Sequence, residues 1–479
     1  MIKVIKQNKA LFLLLLSFPV VLLCTMPLLP THDDWTSSHA PHPEPFSLTL
    51  FLPHLGYWRI PEVMYGWICA HYRWLFPGLA HVLTVSGHYV GMIMIWKLCT
   101  LFRVSALSRN IATMFFLVST GMIATITACD GMSQTWTHTL GLIALYLFLK
   151  NNSAYYWIII ILLACIIKEN AMSWFFIIPF VAFFTKQCSK ESIKQQLVPL
   201  AIVVAFYLTL RLTLPTADSE QLREEYFHIF NIPMMLRGIA MTIAFPLLPI
   251  DYASLLQAEY RNLPIVALSF ITTIPFLYVL LLRSIHSKLN SKAKTLLIAV
   301  FLCVGIHIIT IFSFMHVYSC MGMMALFIAT LIDNDKKTKA NTYIFTFAFY
   351  FITAVCVDAH HYKAAYDSGI MGKNIALQAI EKTKKPVKKV FIIYYDNGYK
   401  KYSNFYVIPI EAMGWGTAAQ WETQYHWPEE IDNEYISDAA AIHTTAKRKL
   451  SEGFDCVWVI HSDSPQQTSR GNVILDVIK

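Results

Sequence analysis

Charge is what this sequence has least of. Only 14% of its 479 residues are Asp, Glu, Lys or Arg, whereas 56% are hydrophobic and mean hydropathy is +0.48. A soluble domain carries about 25% charged residues, so a water-soluble fold of this length is excluded. Cysteine pairs at disulfide or metal-type spacing are also missing. The ten cysteines scatter, chiefly within apolar runs, and read as small core residues. No internal repeat is visible. The formal net charge of +8 is carried mostly by short loops between apolar runs, where membrane insertion and anionic lipid account for it, and no nucleic acid is expected as partner.

What is abundant is uncharged apolar sequence, such as Ala10 to Leu29 and Tyr155 to Ile167. Such runs bury their polar backbone in helices and span bilayers. Spans are expected near 10–30, 79–101, 110–128, 135–149, 154–167, 170–185, 195–214, 264–282, 295–313, 317–332 and 341–359, about eleven in all. Lys3, Lys6 and Lys9 precede the first, which has no small-residue cleavage site and is read as a permanent anchor. Alternate loops are rich in Lys and Arg and are assigned to the cytoplasm. The opposite face then receives 31–78, 129–134, 168–169, 215–263, 314–316 and the tail from His360. Residues 233–250 hold Arg237 and several prolines, and are read as a helix at or dipping into the outer surface.

The expected fold is therefore an all-α polytopic membrane bundle over 1–359, with an outer loop at 31–78, followed by a small extracytoplasmic α/β domain over 360–479. In the tail, a helix is expected at Lys363–Lys384 and another at Ser437–Ser451, with strands at Val390–Tyr395, Phe405–Ile410 and Phe454–Ile460. It shows neither a glycine-rich phosphate loop nor a nucleophile constellation. Trp415, Trp421, Tyr425 and Trp427 suit either an acceptor-recognising surface or packing.

The scarce ionisable groups collect on one predicted face. Asp33 and Asp34 follow the first span, where the bland role is a helix cap. Arg59 and Arg73 share the same loop with several histidines at irregular spacing, ending in His81. Asp130 opens the next outer loop, Lys168-Glu169 forms a tight turn, and His316 and Tyr318 begin a later span. Each has an ordinary interfacial reading; their shared side is what singles them out. A carboxylate base beside cations that bind phosphate suits transfer from a lipid-phosphate donor. Adjacent carboxylate oxygens also suit a divalent cation such as Mg or Mn.

In that order, the motifs resemble the GT-C superfamily of integral-membrane glycosyltransferases, most closely the branch of protein O-mannosyltransferases and their bacterial relatives. The resemblance covers roughly residues 1–335. It rests on Asp33-Asp34; on Tyr57-Trp58-Arg59 with His81 and His88; on Lys168-Glu169-Asn170-Ala171 with Pro179; on Pro246 to Tyr252; and on His316-Val317-Tyr318. Ile60 stands where proline is usual, Thr84 where Asn often lies, and His316 where Arg is expected. The resemblance implies inverting transfer from a polyprenyl-phosphate sugar to a hydroxyl of a protein, glycan or lipid. Asp33 would be the base and Asp34 its partner or a cation ligand. Arg59 and Lys168 would bind phosphate, Glu169 would orient Lys168, and Asp130 and His81 would shape the pocket. A bacterial inner membrane, with N-terminus cytoplasmic and tail periplasmic, fits this topology, as does an endoplasmic reticulum membrane with a luminal tail; the compact size favours the bacterial case. The competing functions are a lipid-linked saccharide ligase or polymerase, a transporter, and an inactive scaffold with a binding tail.

Overall fold

The apolar runs fold into helices that pack on one another, and a small sheet closes the chain. The computed structural model describes residues 9–31, 34, 58–150, 154–213, 231–250, 263–286, 289–308, 313–335, 338–395, 427–461 and 473–479. The helices are α1 (Lys9–Leu15), α2 (Phe18–Thr25), α3 (Ile60–His71), α4 (Gly78–Leu101), α5 (Ala106–Val118), α6 (Ile123–Thr127), α7 (Gly131–Leu149) and α8 (Ala154–Ile167). They continue as α9 (Ser173–Thr185), α10 (Lys190–Thr213), α11 (Ile232–Leu247), α12 (Leu263–His286), α13 (Ser291–Ile308), α14 (Tyr318–Asn334) and α15 (Ala340–Thr383).

Among the described residues, four helices are long and apolar enough to cross a membrane: α4, α10, α14 with its preceding turn, and α15. A fifth arises if α5 and the segment through α6, bent by 44° at Ser119, count as one. The expected eleven spans are not supported. The apolar helices at 9–25, 155–167, 169–185 and 232–247 are 10–17 residues long. At 1.5 Å per residue these reach about 26 Å at most, short of a hydrocarbon core of about 30 Å. α7 has the length but carries buried Ser133, Gln134, Thr135, Thr137, His138 and Thr139. Apolar composition marks these helices without fixing which of them cross. On α12, Leu268, Ile271, Ile274, Tyr278 and Leu281 form an exposed apolar stripe at helical spacing.

Small residues let the central helices approach. A Cβ on Gly87 would lie 2.6 Å from Thr135 Oγ1, and one on Gly91 2.8 Å from Thr139 Oγ1, so the Gly-x-x-x-Gly face of α4 seats α7. Thr139 Oγ1 donates to Gly87 O at 2.8 Å, and Trp136 Nε1 to Leu83 O at 2.9 Å, tying the pair with polar groups that lipid could not satisfy. α11 starts at an Asn231 cap and presses its end into the bundle. Ser119 Oγ donates to Pro246 O at 2.9 Å, and Thr120 Oγ1 to Phe245 O at 2.7 Å.

α15 is one helix of 44 residues rather than an apolar span followed by a separate helix, because no proline interrupts it. Its far end packs on the sheet, made of β1 (Lys389–Tyr395), β2 (Glu430–Ile436), β3 (Cys456–His461) and β4 (Ile474–Ile478) in the order β2-β1-β3-β4. β1 is parallel to β2 and β3; β4 is antiparallel to β3. Alternation splits β1: Val390, Ile392 and Tyr394 face Ile375 and Ala379 of α15, while Phe391 and Ile393 face Ala446 of α16 (Ala439–Ser451). β2 and β4 were not expected; β2 alternates Glu430, Asp432 and Glu434 outward, a polar edge that hides a strand from hydropathy. The expected strand at 405–410, and Trp415, Trp421 and Tyr425, lie outside the described residues. Trp427 packs edge-on against buried Trp458 at 6.0 Å, so it serves the tail's core.

Candidate functional site

The starts of α3, α4, α7, α9 and α14 and the ends of α8 and α13 hold the sequence-selected residues, which fall in three groups. In the first, Asp34 is buried, 4% exposed. Its Oδ1 accepts the backbone N–H groups of Cys129 at 2.8 Å and Asp130 at 3.0 Å, and its Oδ2 accepts Thr31 N–H at 3.0 Å. The carboxylate thus caps the loop that opens α7, where the helix dipole favours negative charge. His81 Nε2 donates to Leu28 O at 3.1 Å and lies 3.9 Å from Cys129 Sγ, fixing the chain that leads from α2 to the acidic pair. Asp33 itself lies outside the described residues.

The loop tolerates no added bulk. A Cβ on Gly131 would sit 1.8 Å from the Thr125 carbonyl oxygen, which is backbone and cannot swing aside. Gly131→Ala is expected to destabilise the protein by about 1–3 kcal/mol, read as a lowered unfolding temperature of the purified protein. An unchanged value would contradict the close approach of Gly131 to Thr125.

In the second group, Arg59 forks Glu169: Nε donates to Oε2 at 3.1 Å and Nη2 to Oε1 at 2.7 Å. Arg59 Nη1 also stands 3.5 Å from Glu62 Oε2, on a side chain only 1% exposed. The expectation that Glu169 orients Lys168 therefore meets a different partner. A planar guanidinium matches a carboxylate better than an ammonium does, and Arg59 takes both oxygens. With two carboxylates against it, Arg59 is spent as a phosphate binder in this arrangement.

Burial pushes the Glu169 carboxyl up, but the Arg59 charge and hydrogen bonds outweigh it and hold it at about 2, below the usual 4.5. A folded-state value below the unfolded one stabilises the fold fully above about pH 4.5 and loses that effect as pH falls to about 2. The gap in unfolding temperature between wild type and Glu169→Gln is expected to stay constant from neutral pH down to about 5 and to close toward pH 2. A gap independent of pH would contradict the ion pair.

In the third group, Lys168 is half-buried, and its side chain makes no hydrogen bond or ion pair among the described residues. Its charge acts on His138, His307 and His316. His307 and His316 stack at 4.1 Å and 21°. Tyr318 stands apart from the loops: buried, with its hydroxyl 3.0 Å from His88 Nδ1, it joins α14 to α4. Residues 251–252 of the proline-rich motif lie outside the described residues.

The histidines His138 and His307, and the amide Gln134, were not singled out from the sequence, and Asn170 entered only as part of the Lys168-Glu169-Asn170-Ala171 motif. The signal was there: Asp130, Gln134 and His138 recur every four residues, one face of a helix, and polar groups inside apolar segments mark sites. A divalent cation does not fit the described donors. Asp34 already spends both oxygens on backbone N–H groups, and among the described residues no three His, Cys, Asp or Glu side chains are grouped so as to hold a metal ion. No family model matches the chain, and no curated protein matches it either.

Proposed function

We propose that the chain is a membrane-embedded glycosyltransferase of the GT-C kind, moving a sugar with inversion from a polyprenyl-phosphate donor to an acceptor hydroxyl on protein, glycan or lipid. The observation that supports this is Lys168, a cation without an ion-pair partner among the described residues, in the turn that Arg59 pins through Glu169. Asp33 takes the proton of the acceptor hydroxyl as the sugar–phosphate bond breaks and the ring gains oxocarbenium character. Lys168 meets the charge that builds on the departing phosphate. Asp34 fixes the acidic loop to α7, and Arg59 holds Glu169 so that the turn presents Lys168. The site faces the periplasm of a bacterial inner membrane in this reading, with the N-terminus cytoplasmic.

The test is transfer from a panel of labelled polyprenyl-phosphate monosaccharides by the purified full chain. Turnover of one donor class is the expected result; absence of both binding and turnover across the panel would overturn it. A second reading, a lipid-linked saccharide transporter, draws on the 44° break between α5 and α6, since broken helices line transport sites. It predicts flux across vesicles without breakage of the sugar–phosphate bond.

A further inference from the structure

The bundle end away from the acidic loop gathers cations and almost no acid. From residue 63 to residue 168 the sequence holds a single carboxylate, Asp130, which lies where α7 begins. The same stretch places Lys97 in the last turns of α4, Arg109 in the first turn of α5 and Lys150 just beyond α7. Two aromatic rings organise them. Lys97 Nζ lies 5.7 Å and Lys150 Nζ 5.2 Å from the centroid of one and the same ring, that of Tyr146. The Arg109 guanidinium lies 4.1 Å from the ring of Trp96, the neighbour of Lys97, and its Nη1 donates to Thr100 Oγ1 at 3.2 Å. Lys97 and Thr100 are three residues apart and share a helix face, so the three cations flank the last turn of α4.

None of the three has an ion pair among the described residues. The carboxylate that α14 brings to this end, Asp333, accepts the Ser105 N–H at 2.8 Å. Two ammonium groups that share one ring repel each other, and an anion from outside the chain offsets that repulsion. The surface beside them selects the anion. Ile93 of α4 and Leu140, Ile143 and Leu147 of α7 are half-buried, an uncharged strip that runs back from Lys97, Tyr146 and Lys150 along the seam where Trp136 bonds Leu83. A free phosphate or a nucleotide has no use for that strip. A glycerophospholipid uses both parts, its acyl chain on the apolar strip and its charged headgroup at the cations.

We propose that Lys97, Lys150 and Arg109 form a headgroup site for an anionic phospholipid, with the phosphodiester against the two ammonium groups and an acyl chain along Ile93 and Ile143. The site lies at the opposite end of α8 from Lys168 and stands independently of the transferase reading.

The test measures binding of phosphatidylglycerol and phosphatidylcholine to the purified full chain in neutral detergent, with the retained lipids counted by native mass spectrometry. Wild type is expected to hold one phosphatidylglycerol about tenfold tighter than phosphatidylcholine. Lys97→Gln with Lys150→Gln is expected to abolish that preference, and Lys97→Arg with Lys150→Arg to keep it. Both lysines are exposed, so unfolding temperatures in phosphatidylcholine alone are expected to match wild type. Lys186→Gln with Lys194→Gln removes the same charge from exposed positions away from Tyr146, and is expected to change the affinity by less than about threefold. An equal loss in the two Gln pairs would mean that net charge alone attracts the lipid, and overturns the site. Equal binding of the two lipids by wild type overturns it as well. Glycerol phosphate displacing phosphatidylglycerol at equal concentration would replace the lipid by a free phosphate compound and overturn the lipid assignment.

Discussion

Lys168→Met is expected to lower the rate of sugar transfer about 100- to 1,000-fold without moving the unfolding temperature of the purified protein. A fixed cation aimed at charge that appears only as the phosphate departs lowers the barrier more than it tightens binding, so kcat should fall more than KM rises. No ion pair is lost with it among the described residues, which is why stability should be spared. Lys168→Arg should recover part of the rate. Arg59→Ala is the contrast: it strands Glu169 and lowers stability together with activity. Steady-state kinetics and thermal unfolding on the three variants separate these outcomes. Full activity in Lys168→Met would remove it from the mechanism.

Asp34→Ala is expected to cost about 2–5 kcal/mol of stability, the largest effect of any single substitution on the fold. It strips the acceptor from three backbone N–H groups, of Thr31, Cys129 and Asp130, at a site 4% exposed. Asp34→Asn keeps the shape but turns an amide N–H toward one of those donors, so it should also destabilise, by less. Denaturation of the purified protein measures both. Wild-type stability in Asp34→Ala would mean that the loop at 129–130 is held by something else.

Class was legible because composition alone decides it: few charges and long apolar runs permit only a helical membrane protein or an improbable soluble core. The number of crossings was not. Hydropathy counts α8 and α9 as it counts α4, yet each is too short to cross unaided, and α7 is centrally placed while carrying a polar face. In the tail, β1 and β3 announced themselves as apolar runs, while β2, with its outward Glu and Asp, did not. At the site, the sequence marked Asp34, Arg59, Lys168 and Glu169 by charge at helix ends. It could not assign partners, because Glu169 adjoins Lys168 in sequence and meets Arg59 only through a contact 110 residues apart. Gln134 escaped for the opposite reason: it is uncharged, and its place on the Asp130–His138 helix face gains meaning only with its buried hydrogen bond from Asn170.

The central claim, a carboxylate base acting on a lipid-phosphate sugar, is tested most directly by single-turnover transfer in Asp33→Asn beside wild type, with donor affinity measured on the same preparations. The account predicts transfer lowered about 100- to 10,000-fold with donor affinity and unfolding temperature unchanged. Transfer at the wild-type rate in Asp33→Asn would contradict it.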